Sequence, residues 1–203
     1  MLDTALRPFT ERLLAPATRS PIGRLHPTLL TLVSLTTAVG AGLAAWQRGW
    51  AVAVVLWLVS RLADGLDGVV ARRRGRTSDL GGLLDVVGDT VGYAIIPIGV
   101  AAGLDTRTGW VAVAVLLATF YVNAVSWTYL SAVLEKRAAG ARAVGASTSV
   151  VMPRGVVEGA ETFVFFTIAL AVPSAAPTVF WVMAAAVVVT VVERLWWARR
   201  ILR

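Results

Sequence analysis

Four aspartates set the chemistry open to this chain. Asp64 and Asp67 are three residues apart, and Asp85 and Asp89 are four apart. On a helix either spacing puts both carboxylates on one face. All four fall in strongly apolar surroundings. A carboxylate at mid-membrane depth costs about 2.5–3.5 kcal/mol even on lenient insertion scales, so four left uncompensated would cost about 10 kcal/mol. A pair of divalent cations would neutralise them. Oxygen-only ligands favour Mg2+ or Mn2+, and two metals held close together suit phosphoryl-transfer chemistry. The same carboxylates could serve a proton or cation transporter, or pair structurally with Arg61 and Arg72–Arg74. Other site chemistries are excluded by composition. With no cysteine there is no thiolate site or disulfide, and the lone His26 cannot build a histidine cage.

The elements that must carry these residues follow from the arithmetic of the chain. Of 203 residues, 57% are hydrophobic and 15% charged, with a mean hydropathy of +0.74. A soluble domain holds nearer half apolar and a quarter charged residues, and a disordered chain is far more polar. An all-α polytopic membrane protein is expected. Six apolar runs lie near 27–46, 50–72, 81–104, 109–133, 154–173 and 177–197, each close to the roughly 20 residues of a spanning helix. Residues 1–26 lack the apolar run of a signal peptide. Leu2, Leu6, Phe9, Leu13 and Leu14 recur there at helical spacing, opposite Arg7, Glu11 and Arg12. That pattern predicts an amphipathic helix in the membrane interface. The domain organisation is therefore an interfacial segment, 1–26, and a six-helix transmembrane domain, 27–203.

The net charge of +7 is explained by topology rather than by nucleic acid. Sixteen Lys and Arg lie in the N-terminal stretch, the loops after runs two and four, and the C-terminal end, against two in the alternate loops. The positive-inside rule places both termini in the cytoplasm, and the basic side would attract anionic membrane lipids. The run-two and run-three aspartates then sit near the cytoplasmic side, at similar depth and facing each other. Gly88 with Gly92, Gly99 with Gly103, and Gly155 with Gly159 are spacings that let helix backbones approach closely. Trp46, Trp50, Trp110, Trp181, Trp196 and Trp197 lie near run ends as interfacial anchors.

The residues joining the two acidic pairs narrow the alternatives. Asp64, Asp67-Gly68, Ala71-Arg72, Gly81, Asp85 and Asp89 stand in the order D-x2-D-G-x2-A-R-x8-G-x3-D-x3-D, matching at eight positions over 26 residues. This resembles the signature of the CDP-alcohol phosphotransferase (CDP-alcohol phosphatidyltransferase) family. The segment His26-Pro27-Thr28-Leu29-Leu30-Thr31 is similar to the family's Pro-Asn and following Thr, with Thr28 in place of the Asn. The resemblance implies transfer of a phosphatidyl group from a CDP-linked lipid, CDP-diacylglycerol, to an alcohol, with release of CMP in phospholipid synthesis. It implies that Asp64, Asp67, Asp85 and Asp89 hold two Mg2+ or Mn2+ ions and that Asp89 is the general base. Gly68, Ala71, Arg72, Gly81 and Thr31 would meet the nucleotide. A homodimer in the cell membrane is the expected assembly.

The acceptor side is less defined. Arg142 and Arg154 could bind a phosphate on the acceptor. Glu158 and Glu161 could bind a cationic or polyhydroxyl headgroup. Equally, Arg154 and Glu158 could pair at i,i+4, and early acidic residues suit a helix N-terminus after Pro153.

Overall fold

The computed structural model describes residues 25–75, 78–137 and 155–202. Among them all regular structure is helical: α1 (Pro27–Trp46), α2 (Trp50–Arg73), α3 (Asp79–Leu104), α4 (Arg107–Lys136), α5 (Gly159–Ala171) and α6 (Ala176–Ile201), with a 3-10 turn at Pro173–Ala175. Five of the six expected runs coincide with helices to within a few residues, and the run at 154–173 contains the shorter α5. Most of residues 1–26, with Arg142, Pro153 and Arg154, lies outside the described residues.

Helix starts follow the local sequence. The His26 ring accepts from the Thr28 amide, with Pro27 in the first turn. Ser78 Oγ accepts from Gly81 N at 3.1 Å, and Thr106 Oγ1 from Gly109 N at 3.1 Å. Each satisfies an amide that has no partner within its helix. Between α1 and α2, Arg48 takes a positive φ of 61°.

α5 departs from expectation. It begins at Gly159 rather than 154 and runs 13 residues, about 20 Å at 1.5 Å per residue. The reason is in α6. Thr190 Oγ1 accepts both the Val156 and Val157 amides at 3.0 Å, holding that strip out of helix. Glu158 and Glu161 then close a reciprocal capping box.

Among the described residues four segments are long and apolar enough to cross a membrane: Pro27–Trp46, Asp79–Leu104, Arg107–Lys136 and Pro173–Ile201. α2 has the length, 24 residues, but carries Arg61, Asp64, Asp67, Arg72 and Arg73. The outer surface is apolar, with Leu32, Val52, Val55, Leu62, Val122 and Leu195 all exposed. Such a girdle belongs against hydrocarbon. Helices of spanning length with such a girdle make this a multi-pass membrane protein.

The core gathers Trp57, Ile96, Leu116, Phe166, Phe180 and Met183. α1 packs on α2 and α3, and α4 on α6. The α1–α3 contact is backbone on backbone: a Cβ on Gly99 would collide with the Gly42 carbonyl, and one on Gly103 with that of Ala45. A small-residue stripe thus packs helices within the chain. Trp46, Trp110, Trp181, Trp196 and Trp197 are exposed, whereas Trp50 packs partly on the core.

Candidate functional site

α2 and α3 bring the acidic pairs together. Asp64, Asp67 and Asp85 each present a carboxylate oxygen within 4.8 Å of the other two. These three come from two helices, 18 residues apart along the chain at closest, so the gathering is tertiary and not a consequence of spacing alone. Asp67 is the buried member, 7% exposed. The Thr31 hydroxyl on α1 donates to its Oδ2 at 2.7 Å. The donor set is carboxylate oxygen throughout, converging from two helices, and fits a hard divalent cation.

Asp89 lies outside that trio. Its Oδ1 accepts from Arg61 Nη1 at 2.8 Å, and the same nitrogen is 3.6 Å from Asp64 Oδ2. Arg61 is itself built in. Its Nη2 is 3.2 Å from Ser60 Oγ and 3.4 Å from Ser34 Oγ. Its guanidinium lies 4.7 Å from the Trp57 ring centroid and 5.9 Å from that of Tyr93. Trp57 is in turn anchored by an indole hydrogen bond to Thr167 Oγ1 at 3.1 Å. A half-buried cation flanked by two rings and two carboxylates is held by charge and by aromatic faces together.

The remaining signature residues line the same two helices. A Cβ on Gly68 would stand 3.1 Å from Arg72 Nη1, and one on Gly81 would stand 3.1 Å from Ser78 Oγ. Ala71 is half-buried and Arg72 exposed in the last turn of α2. Gly68, Ala71 and Arg72 therefore follow Asp64 and Asp67 toward the C-terminal end of α2, and Gly81 stands in the first turn of α3. Glu158 and Glu161 serve the α5 cap: Glu158 Oε1 accepts from Gly155 N, and Glu161 Oε2 from Glu158 N, both at 3.0 Å.

Two groups carry more than their sequence context shows. Thr31 sits inside a plain helical run, and only the fold brings it to Asp67. Arg194 counts in the sequence as one more basic residue near the C-terminus. It is 6% exposed and donates to Asn123 Oδ1 at 2.7 Å and Ser126 Oγ at 2.6 Å on α4. The signal for it was present: Asn123 and Ser126 are polar residues within an apolar helix, and such residues seek partners.

The family model described as CDP-alcohol phosphatidyltransferase matches residues 24–192. The chain is 32% identical over 204 residues to the inner membrane protein YnjF of Escherichia coli, covering 97% of this chain and 94% of that one. It is 31% identical over 186 residues to the phosphatidylinositol phosphate synthase of Mycolicibacterium smegmatis, covering 84% and 76%. The fold matches the crystal structure of Mycobacterium tuberculosis phosphatidylinositol phosphate synthase with CDP-DAG bound, with a TM-score of 0.68 at 22% identity over 93% of this chain and 92% of that one. A structure of the same synthase with manganese and citrate matches at 0.66, with 21% identity over 93% and 86%. The match over most of the chain, on top of the signature and the converging carboxylates, places it: the protein belongs to the CDP-alcohol phosphatidyltransferase family.

Proposed function

We propose that this protein transfers a phosphatidyl group from CDP-diacylglycerol to the hydroxyl of an alcohol acceptor, releasing CMP. The observation that carries this reading is the convergence of Asp64, Asp67 and Asp85 within 4.8 Å, with Asp89 one turn further along α3. The acceptor oxygen forms a bond to the phosphorus bearing the diacylglycerol. The bond from that phosphorus to the bridging oxygen breaks, and CMP leaves. The acceptor proton goes to the Asp89 carboxylate, the general base. Two Mg2+ or Mn2+ ions held by Asp64, Asp67, Asp85 and Asp89 would neutralise the diphosphate and stabilise charge on the transferred group. Thr31 fixes the rotamer of Asp67 through its hydrogen bond and borders the nucleotide site. Gly68, Ala71 and Gly81 leave room for the nucleotide, and Arg72 offers a fork for phosphate oxygens.

The acceptor would be met between α4 and α5. Arg142 and Arg154 suit a phosphate on the acceptor, and relatives of the chain are named phosphatidylinositol phosphate synthases. Glu158 and Glu161 suit hydroxyls. The assembly is a homodimer in the cell membrane, with cytoplasmic termini and residues 1–26 as an interfacial segment. Purified protein given CDP-diacylglycerol, Mg2+ or Mn2+ and a panel of free and phosphorylated polyols should release CMP with one of them. No CMP with any acceptor, together with cation flux in liposomes, would favour the transporter reading of the same carboxylates.

A further inference from the structure

The Arg61–Asp89 pair has a consequence for metal binding. Asp89 carries signature spacing with Asp85, one helical turn away, yet its Oδ1 is engaged by Arg61 at 2.8 Å while the other three carboxylates gather on one another. Arg61 does not arrive by chance. Both of its Nη atoms are used, Trp57 and Tyr93 lie against the guanidinium, and the side chain is 14% exposed. Its Nε is buried with no hydrogen-bond partner among the described residues. That orphaned atom is a cost tolerated to keep the cation in place.

We propose that Arg61 competes with divalent cations for the carboxylate of Asp89, holding its Oδ1 and opposing the charge of any ion that Asp89 would share with the neighbouring three aspartates. Arg61 acts through Asp89 and is a positioning residue. Two positive charges cannot share one carboxylate oxygen without mutual repulsion. The guanidinium therefore stabilises the four-aspartate cluster before the ions enter and weakens their binding. Its place beside Asp64, at 3.6 Å, extends the competition to the first acidic pair. The inference rests on the reading of the aspartates as the metal site.

The test is Mn2+ binding to the full-length protein in detergent, read by electron paramagnetic resonance of free Mn2+, with thermal melting in chelator and in saturating Mn2+. Arg61→Gln should bind Mn2+ roughly fivefold to tenfold more tightly, the scale expected for removing one cation beside a divalent ion. Its melting temperature should fall in chelator and recover more than the wild type's on Mn2+ addition. Arg61→Lys keeps the charge but loses the fork, and should shift Mn2+ affinity in the same direction by a smaller factor. Should Arg61→Gln fail to fold, the lysine variant decides the matter. In an Asp89→Asn background the effect of removing Arg61 should shrink, because the contested carboxylate is gone. Unchanged or weaker Mn2+ binding in both variants, with equal melting losses in chelator and in Mn2+, would overturn the proposal and leave Arg61 a packing residue. No Mn2+ binding by the wild type would instead remove the metal reading on which it rests.

Discussion

The hydrogen bond from Thr31 to Asp67 is the most sharply testable tie between fold and site. Thr31 has one hydroxyl proton and two acceptors in reach, Asp67 Oδ2 at 2.7 Å and Pro27 O at 3.2 Å. The shorter, charge-assisted contact takes the proton. Asp67 is only 7% exposed, so an oxygen that loses this donor has little water to turn to. Thr31→Val keeps the β-branched shape and deletes the donor alone. Hydrogen bonds to charged groups contribute about 1.5–3 kcal/mol. Half-exposure of Thr31 argues for the lower part of that range, about 1.5–2 kcal/mol. For a chain of this size each kcal/mol moves the melting temperature by about 2–4 °C, so a fall of about 3–8 °C is expected in chelator. Melting in detergent, followed by tryptophan fluorescence, reads it. Thr31→Ser restores the donor and should recover most of the loss. In Asp67→Asn the Thr31→Val step should cost less than about 0.5 kcal/mol, since the charged acceptor is gone. Equal losses for Thr31→Val with and without the Asp67 carboxylate would refute the reasoning, because the cost would then come from packing and not from the bond.

Three further outcomes follow from the same geometry. Asp89→Asn should lower CMP release about 100-fold or more while Mn2+-free melting shows a folded protein. Gly99→Ala should cost about 1–3 kcal/mol by driving a methyl into the Gly42 backbone, whereas Gly88→Ala, with no atom within 4 Å of the new Cβ, should be neutral or gain up to about 1 kcal/mol from helix propensity; melting of the two variants side by side checks this. Glu158→Ala should cost about 1 kcal/mol through the lost α5 cap, and comparing its melting with the acceptor KM separates capping from acceptor binding.

The placement of five helices, and the presence of α5 within its expected run, was legible because nothing else in the chain competes with apolar length. The acidic pairs were legible because a membrane leaves few reasons to keep a carboxylate. What the sequence withheld is tertiary. Thr31 and Asp67 are 36 residues apart, and no local pattern joins them. Arg61 reads as a structural partner for some aspartate; its i,i+3 spacing already offers Asp64 on the same helix, and only the helix crossing adds Asp89. The start of α5 depended on Thr190, a hydroxyl on a later helix that captures two amides. Pro153 and the acidic residues predicted an earlier start, since they speak only for their own turn. Arg194 illustrates the same limit: charge counting assigns it to orientation, while its burial follows from Asn123 and Ser126 across the α4–α6 contact.

The order of charges along α2 connects these points. Its first eleven residues, from Trp50 to Ser60, carry no charge; then come Arg61, Asp64, Asp67 and the terminal Arg72 and Arg73. At 1.5 Å per residue, Arg61 lies about 9 Å below Asp67, and Arg72 about 7.5 Å beyond it. The carboxylates are thus bracketed by a cation on each side along the helix. The deeper one is fenced by Trp57 and Tyr93 and the outer one is exposed. A cation in apolar surroundings is tolerable only when paired, so Arg61 requires a carboxylate within reach, and Asp89 on α3 supplies it. That requirement couples α2 to α3 across the site, where the backbone contact of Gly42 with Gly99 couples α1 to α3 further along. The helix least suited to a membrane by composition is in this way held by its neighbours through the same residues that make it chemically useful.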